Sequence, residues 1–137
     1  MLELSDGARL TTAIVLLTVV GIESGGFFLL RVGTGRVPAT DFQRMFFRAG
    51  HAHAGVLVTL GLVCVVLAEA ATALTGFWHW LGATGVLVAA ILLPGGFFFS
   101  AMGAGRTEPN GFRILFPAGA AFLGAGVVTL AVGMLLS

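Results

Sequence analysis

Long apolar runs alternate with short polar breaks along the whole chain. Four runs stand out, near residues 10–31, 45–71, 78–101 and 113–136, parted by Val32 to Arg44, Thr72 to Phe77 and Met102 to Phe112. Each run supplies the roughly 20 apolar residues a helix needs to cross a hydrocarbon core of about 30 Å. Segments such as Ala13-Ile14-Val15-Leu16-Leu17 do not alternate apolar with polar, as the strands of a membrane β-barrel would. The breaks are short enough to join antiparallel neighbours. The pattern therefore predicts an all-α membrane protein, a single domain over residues 1–137 with four transmembrane helices in an up-and-down bundle. Thr40-x-x-Gln43 has the form of a capping box and predicts that helix 2 starts near Asp41. Pro94, ahead of Gly95-Gly96, predicts a kink in helix 3.

Composition sharpens the choice of solvent. Hydrophobic residues make up 58% of the 137, glycine adds 21 positions, and charged residues are only 9%, against about 25% in an ordinary globular domain. A water-soluble domain of this size has too little interior for so much apolar surface, so the lipid bilayer is the expected surroundings. A net charge of +1 with no basic cluster excludes a nucleic-acid partner, and one cysteine excludes an internal disulfide. Glu3 and Asp6 against a single Arg9 make the leader unlike a secretion signal, so helix 1 is expected to be retained.

The few charges give a direction. Arg31, Arg36, Arg44, Arg106 and Arg113 flank the first and third breaks, whereas the other side has Arg9 beside Glu3, Asp6 and Glu69. Basic residues in short loops stay cytoplasmic, so both termini are expected outside, with Trp78 and Trp80 in the outer interfacial belt. Ten of the twelve phenylalanines crowd the inner end. The absence of Lys and Tyr, with abundant Ala, Gly, Val and Arg, suits a GC-rich bacterial genome and places the chain in a bacterial cytoplasmic membrane as a multi-pass protein.

The chain also matches itself. Shifted by seventy residues, Gly25-Gly26-Phe27-Phe28 falls on Gly95-Gly96-Phe97-Phe98, and Gly33-x-Gly35-Arg36 on Gly103-x-Gly105-Arg106. Phe47 to Gly55 aligns with Phe116 to Gly124 at sixty-nine. This predicts two duplicated helical hairpins, repeat 1 over 10–71 and repeat 2 over 78–136, related by a pseudo-twofold along the membrane normal. The differences are informative. Glu23, Arg48, His51 and His53 in the first copy correspond to Leu93, Pro117, Ala120 and Phe122 in the second, so the first hairpin is the candidate site and the second the scaffold.

Ionisable groups within the hydrocarbon cost several kcal/mol unless they face a cavity or a partner. Glu23 lies about 12 Å of helix rise before Arg31, and His51 about 10 Å after Arg44, which puts them at one level on antiparallel helices. At 100° per residue Arg48, His51, Gly55 and Thr59 share a face, whereas His53 lies about 200° from His51 and shares its face with Leu60 and Cys64. The expected site is therefore Glu23, Arg48, His51 and Thr59 towards the bundle interior. Gly21-x-x-x-Gly25 is expected to admit a close neighbouring backbone. Cys64 reads as a small buried apolar residue, and His79 as an outer-interface residue remote from the site.

Three functions fit these residues. Glu23, Arg48 and His51 suit a proton, ion or small, anionic solute, since histidine titrates near physiological pH and arginine favours anions. Histidines also ligate haem or a metal such as copper or iron, with His51, His53 and Glu23 as the ligands. Alternatively the polar cluster orders an assembly, the chain being an accessory subunit of a membrane complex or a homo-oligomer. An enzyme has the least support, because no nucleophile with an adjacent base, no H-E-x-x-H and no paired carboxylates occur.

Phe46-Phe47-Arg48-Ala49-Gly50-His51-Ala52-His53-Ala54-Gly55 carries a resemblance. It is similar to the helix opening, Arg-x-x-His-x-His, of small, uncharacterised bacterial four-helix integral membrane proteins, which the chain resembles throughout in architecture. Over about ten residues it also resembles the histidine-bearing helix openings in relatives of haem-copper oxidase subunit I. That second resemblance implies that His51 and His53 ligate haem or metal, with Glu23, Cys64 or a second subunit completing the set.

Overall fold

The computed structural model describes residues 3–137 and contains four long helices: α1 (Asp6–Gly33), α2 (Asp41–Ala68), α3 (Gly76–Ser100) and α4 (Leu115–Leu136). All are long and apolar enough to cross a membrane, and the chain is a small multi-pass membrane protein. Side-chain caps set the starts of α1 and α2. α1 begins four residues before its apolar run because Ser5 Oγ accepts from Ala8 N and Asp6 occupies the first turn, where a negative charge suits the helix dipole. α2 starts at Asp41 with the expected capping box complete: Thr40 Oγ1 accepts from Gln43 N at 3.2 Å, and Gln43 Oε1 accepts from Thr40 N at 3.1 Å. α4 is preceded by a 3₁₀ turn over Gly111–Ile114, whose first N–H groups are capped by Asn110. α3 continues through Pro94; lacking an N–H, that proline leaves the Ala90 carbonyl without its helical donor. The breaks at the arginine-rich end turn on Gly35 (φ 74°) and Gly105 (φ 65°), a left-handed conformation that favours glycine, at positions seventy residues apart.

The two hairpins pack unequally. α3 lies between α2 and α4 and is in close register with both, whereas α1 rests along α2 and does not pack on α4. The tightest backbone-to-backbone approach joins α3 to α4. A methyl group on Gly85 would stand 2.9 Å from Gly126 Cα, and one on Gly126 would stand 3.1 Å from Gly85 Cα. Gly119, Gly126 and Gly133 recur every seven residues and form one buried stripe of α4. Between α2 and α3, Gly50 receives Phe98 and Gly61 receives Leu87. Lipid tails are as apolar as leucine, so such close steric fits hold membrane helices together where hydrophobic segregation cannot. The expected close approach at Gly21-x-x-x-Gly25 does not occur: Gly21 faces open space, and Gly25 meets the His51 ring. The reason is that α1 is the loosest of the four helices, and no neighbouring backbone comes within reach of its Gly21.

Leu57, Val58, Cys64, Ala83, Val86, Ala90 and Leu130 form the principal core, with Val15 and Ile22 of α1 packed on it. A second cluster at the arginine-rich end joins Val32, Phe47 and Ala101 to Phe28, Phe42, Phe46 and Phe98. The break between α3 and α4 is held there by Gln43, which is buried and donates from Nε2 to Ala101 O (2.9 Å) and Gly103 O (2.7 Å). Thr40 Oγ1 adds a bond to Arg106 O.

Candidate functional site

The buried face of α2 runs through Gln43, Phe47, Gly50, Leu57, Gly61, Cys64 and Ala68. His51 sits about 80° to one side of that face and His53 about 80° to the other, by the 100° helical step. His51 is half-buried on the α1 side, where Gly25 and Gly26 leave a notch for its ring: a methyl group on Gly25 would stand 3.2 Å from Nδ1, and one on Gly26 would stand 3.7 Å from Nε2. Glycine at these positions admits the imidazole between two helices. No protein group among the described residues hydrogen-bonds it, unlike His53 and His79, which both have polar partners.

Arg48 is one turn before His51, exposed, and lines an open cleft of about 560 Å³ between α1 and α2. Its other walls are Gly26, Leu29, Leu30, Val32 and Gly33 of α1 and Arg44 of α2. Glu23 is exposed on the flank of α1. The ion pairs among the described residues are Arg9–Asp6, Arg44–Asp41 and His79–Glu69, so neither Glu23 nor Arg48 is in one. Thr59 is exposed two turns beyond His51, donates to Gly55 O at 2.9 Å and lines a shallow lipid-side depression with Val56, Leu60 and Val63. The stripe Arg48–His51–Gly55–Thr59 thus exists as one face of α2, but it borders α1 and lipid, not the bundle interior. The physical reason is steric: the flat, glycine-bearing face of α2 takes α3, and the polar stripe turns to the side where only α1 packs.

His53 turns the other way and is exposed. Its Nδ1 donates to Ala49 O at 2.8 Å, since a carbonyl can only accept, and its ring lies 4.9 Å from that of Phe97 on α3. Phe97 in turn packs edge-on with Phe46 and Phe116. Among the described residues no three His, Cys, Asp or Glu side chains gather into a metal-binding group, so His51, His53 and Glu23 do not converge on one ion within a chain.

At the opposite end a polar cluster joins residues distant in sequence. Glu69, at the end of α2 with its side chain only 10% exposed, accepts from Ser5 N (2.7 Å) and Ser5 Oγ (3.2 Å), and stands 3.8 Å from His79 Nε2. One carboxylate therefore ties the start of α1 to α2 and α3. Sequence patterning shows Glu69 only as one more outer charge, because a contact spanning 64 residues has no local signal. Gln43 was legible as a cap, but its grip on Ala101 and Gly103 was not.

No protein family, curated protein or solved structure compared with the chain matches it.

Proposed function

We propose that the protein sits in a bacterial cytoplasmic membrane, arginine-rich end inward, and handles a proton, an ion or a small anionic solute along the α1–α2 seam. The observation that carries this reading is the unpartnered Arg48 lining an open cleft one turn from an imidazole lodged between Gly25 and Gly26. An arginine with no internal partner is free to meet an anion, and the His51 ring beside it has no protein hydrogen-bond partner to compete for a ligand. Glu23 is the remaining intramembrane acid on the adjoining helix. The left-handed glycines at 35 and 105 support the duplication of the hairpin, with the second copy as scaffold.

The test uses vesicles containing the purified chain and a trapped pH-sensitive dye, challenged with a pH step in chloride, nitrate or acetate. The wild type is expected to collapse the gradient faster than empty vesicles with at least one of these anions. Glu23→Gln, Arg48→Gln and His51→Ala are expected to lose that flux while the bundle stays folded. Wild-type vesicles that behave as empty ones in all three anions would overturn the reading in favour of an accessory subunit.

His53 favours a second reading. With Nδ1 engaged by Ala49 O, Nε2 is the ring nitrogen left to ligate a metal. Two copies meeting on that face would supply two such ligands for haem, copper or iron. A Soret band, or copper or iron found in protein purified without chelator and lost in His53→Ala, supports it; a colourless, metal-free preparation that takes up neither on reconstitution rejects it.

A further inference from the structure

We infer that the cleft between α1 and α2 at the arginine-rich end is a headgroup site for an anionic phospholipid, held by Arg44 and Arg48. This deepens the seam reading and shares Arg48 with it, but depends on neither Glu23 nor His51. Arg44 and Arg48 are four residues apart on α2, so their side chains share a stripe about 6 Å apart along the axis, a spacing that lets two guanidinium groups hold one phosphodiester. Arg48 has no ion-pair partner, and Arg44 has only the fully exposed Asp41 at 3.4 Å, a contact that water screens heavily. Arg44 lies in the first turn of α2 and Arg48 in the second.

The walls decide between a lipid and a small soluble anion. Across from the arginines the cleft is lined by Leu29 and Leu30, and Gly26 and Gly33 remove side chains from the same stretch of α1. A methyl group at Gly33 would touch nothing within 4 Å, so the groove is open there. Arginines beside an apolar, glycine-cut groove suit an amphiphile, whose phosphate and acyl chain together use both walls, whereas a small anionic solute passing through the same cleft engages the arginines alone. Basic pockets between transmembrane helices bind acidic lipid heads by this combination.

The test is lipid retention by native mass spectrometry from neutral detergent, with phosphatidylglycerol, phosphatidylcholine and inorganic phosphate as separate probes. Phosphatidylglycerol is expected to be retained and phosphatidylcholine not. At about fivefold per arginine near a charged surface, Arg44→Gln/Arg48→Gln is expected to weaken retention at least about tenfold. The charge-matched control Arg31→Gln/Arg113→Gln, at the same end but outside the cleft, is expected to retain it. Gly33→Leu fills the groove without altering charge and is expected to lower retention as well, which keeps the test decisive if the double-arginine variant folds poorly. Equal retention of phosphatidylcholine, equal loss in the two double variants, or displacement of lipid by millimolar phosphate overturns the assignment. His51→Ala separates the two readings: lost flux with retained phosphatidylglycerol supports both, and absent wild-type flux with Arg44- and Arg48-dependent lipid binding removes the solute reading alone.

Discussion

Replacing Gln43 by glutamate keeps the shape of the side chain and reverses the chemistry of one atom. In the wild type Oε1 accepts from Thr40 N at 3.1 Å, and Nε2 donates to Ala101 O at 2.9 Å and Gly103 O at 2.7 Å. Gln43→Ala removes three hydrogen bonds worth about 1 kcal/mol each. Gly103 is exposed, so water can recover part of its share, whereas Ala101 is fully buried. The expected loss is about 2–3 kcal/mol. Gln43→Glu retains the bond from Thr40 N but sets a carboxylate oxygen at under 3 Å from two carbonyl oxygens. It must either bury an unpaired charge or take up a proton and serve one carbonyl only, at an expected loss of about 3–5 kcal/mol. The assay is unfolding in mixed detergent micelles, followed by helical circular dichroism, with tryptic cleavage after Arg106 as a local reporter. Cleavage should accelerate in both variants, because the segment from Ala101 to Arg106 loses its tether. A Gln43→Glu protein within about 0.5 kcal/mol of wild type, or more stable than Gln43→Ala, would refute the reasoning that Gln43 acts as donor to that segment.

Three further outcomes are expected. Gly126→Leu forces a side chain against Gly85 Cα and Leu81 O, backbone atoms that cannot swing aside; it should destabilise the α3–α4 pair by at least the roughly 1–3 kcal/mol typical of overpacking, read in the same unfolding assay. Glu69→Ala removes the acceptor for Ser5 N and the partner of His79, and should release the first turns of α1 at a cost of about 1–2 kcal/mol, seen as faster amide exchange there with α3 and α4 unaffected. Gly25→Val places branched carbon where His51 Nδ1 now lies and should evict the imidazole, with His51 reacting faster with diethyl pyrocarbonate and seam-dependent flux lost from a folded bundle; an unchanged reaction rate would mean the notch is not where the ring sits.

Much of the architecture follows from local pattern. Apolar runs of membrane-spanning length, the Thr40–Gln43 cap and the short breaks were sufficient to place four antiparallel helices, because each depends on residues near one another in the chain. The separation of His51 from His53 was equally legible, since the helical step alone puts them on opposite flanks of α2. Tertiary structure decided which flank meets what. In lipid an apolar side chain gains nothing by turning inward, so hydropathy cannot tell the inside of α3 or α4 from the outside. Steric fit chooses: Gly85 against Gly126 joins α3 to α4, while Gly50 beneath Phe98 and Gly61 beneath Leu87 direct α2 towards α3, and so leave Arg48, His51 and Thr59 facing α1 and lipid. The same packing brings Glu69 to Ser5 and Gln43 to Ala101 across some sixty residues, contacts that exist only once the helices have docked.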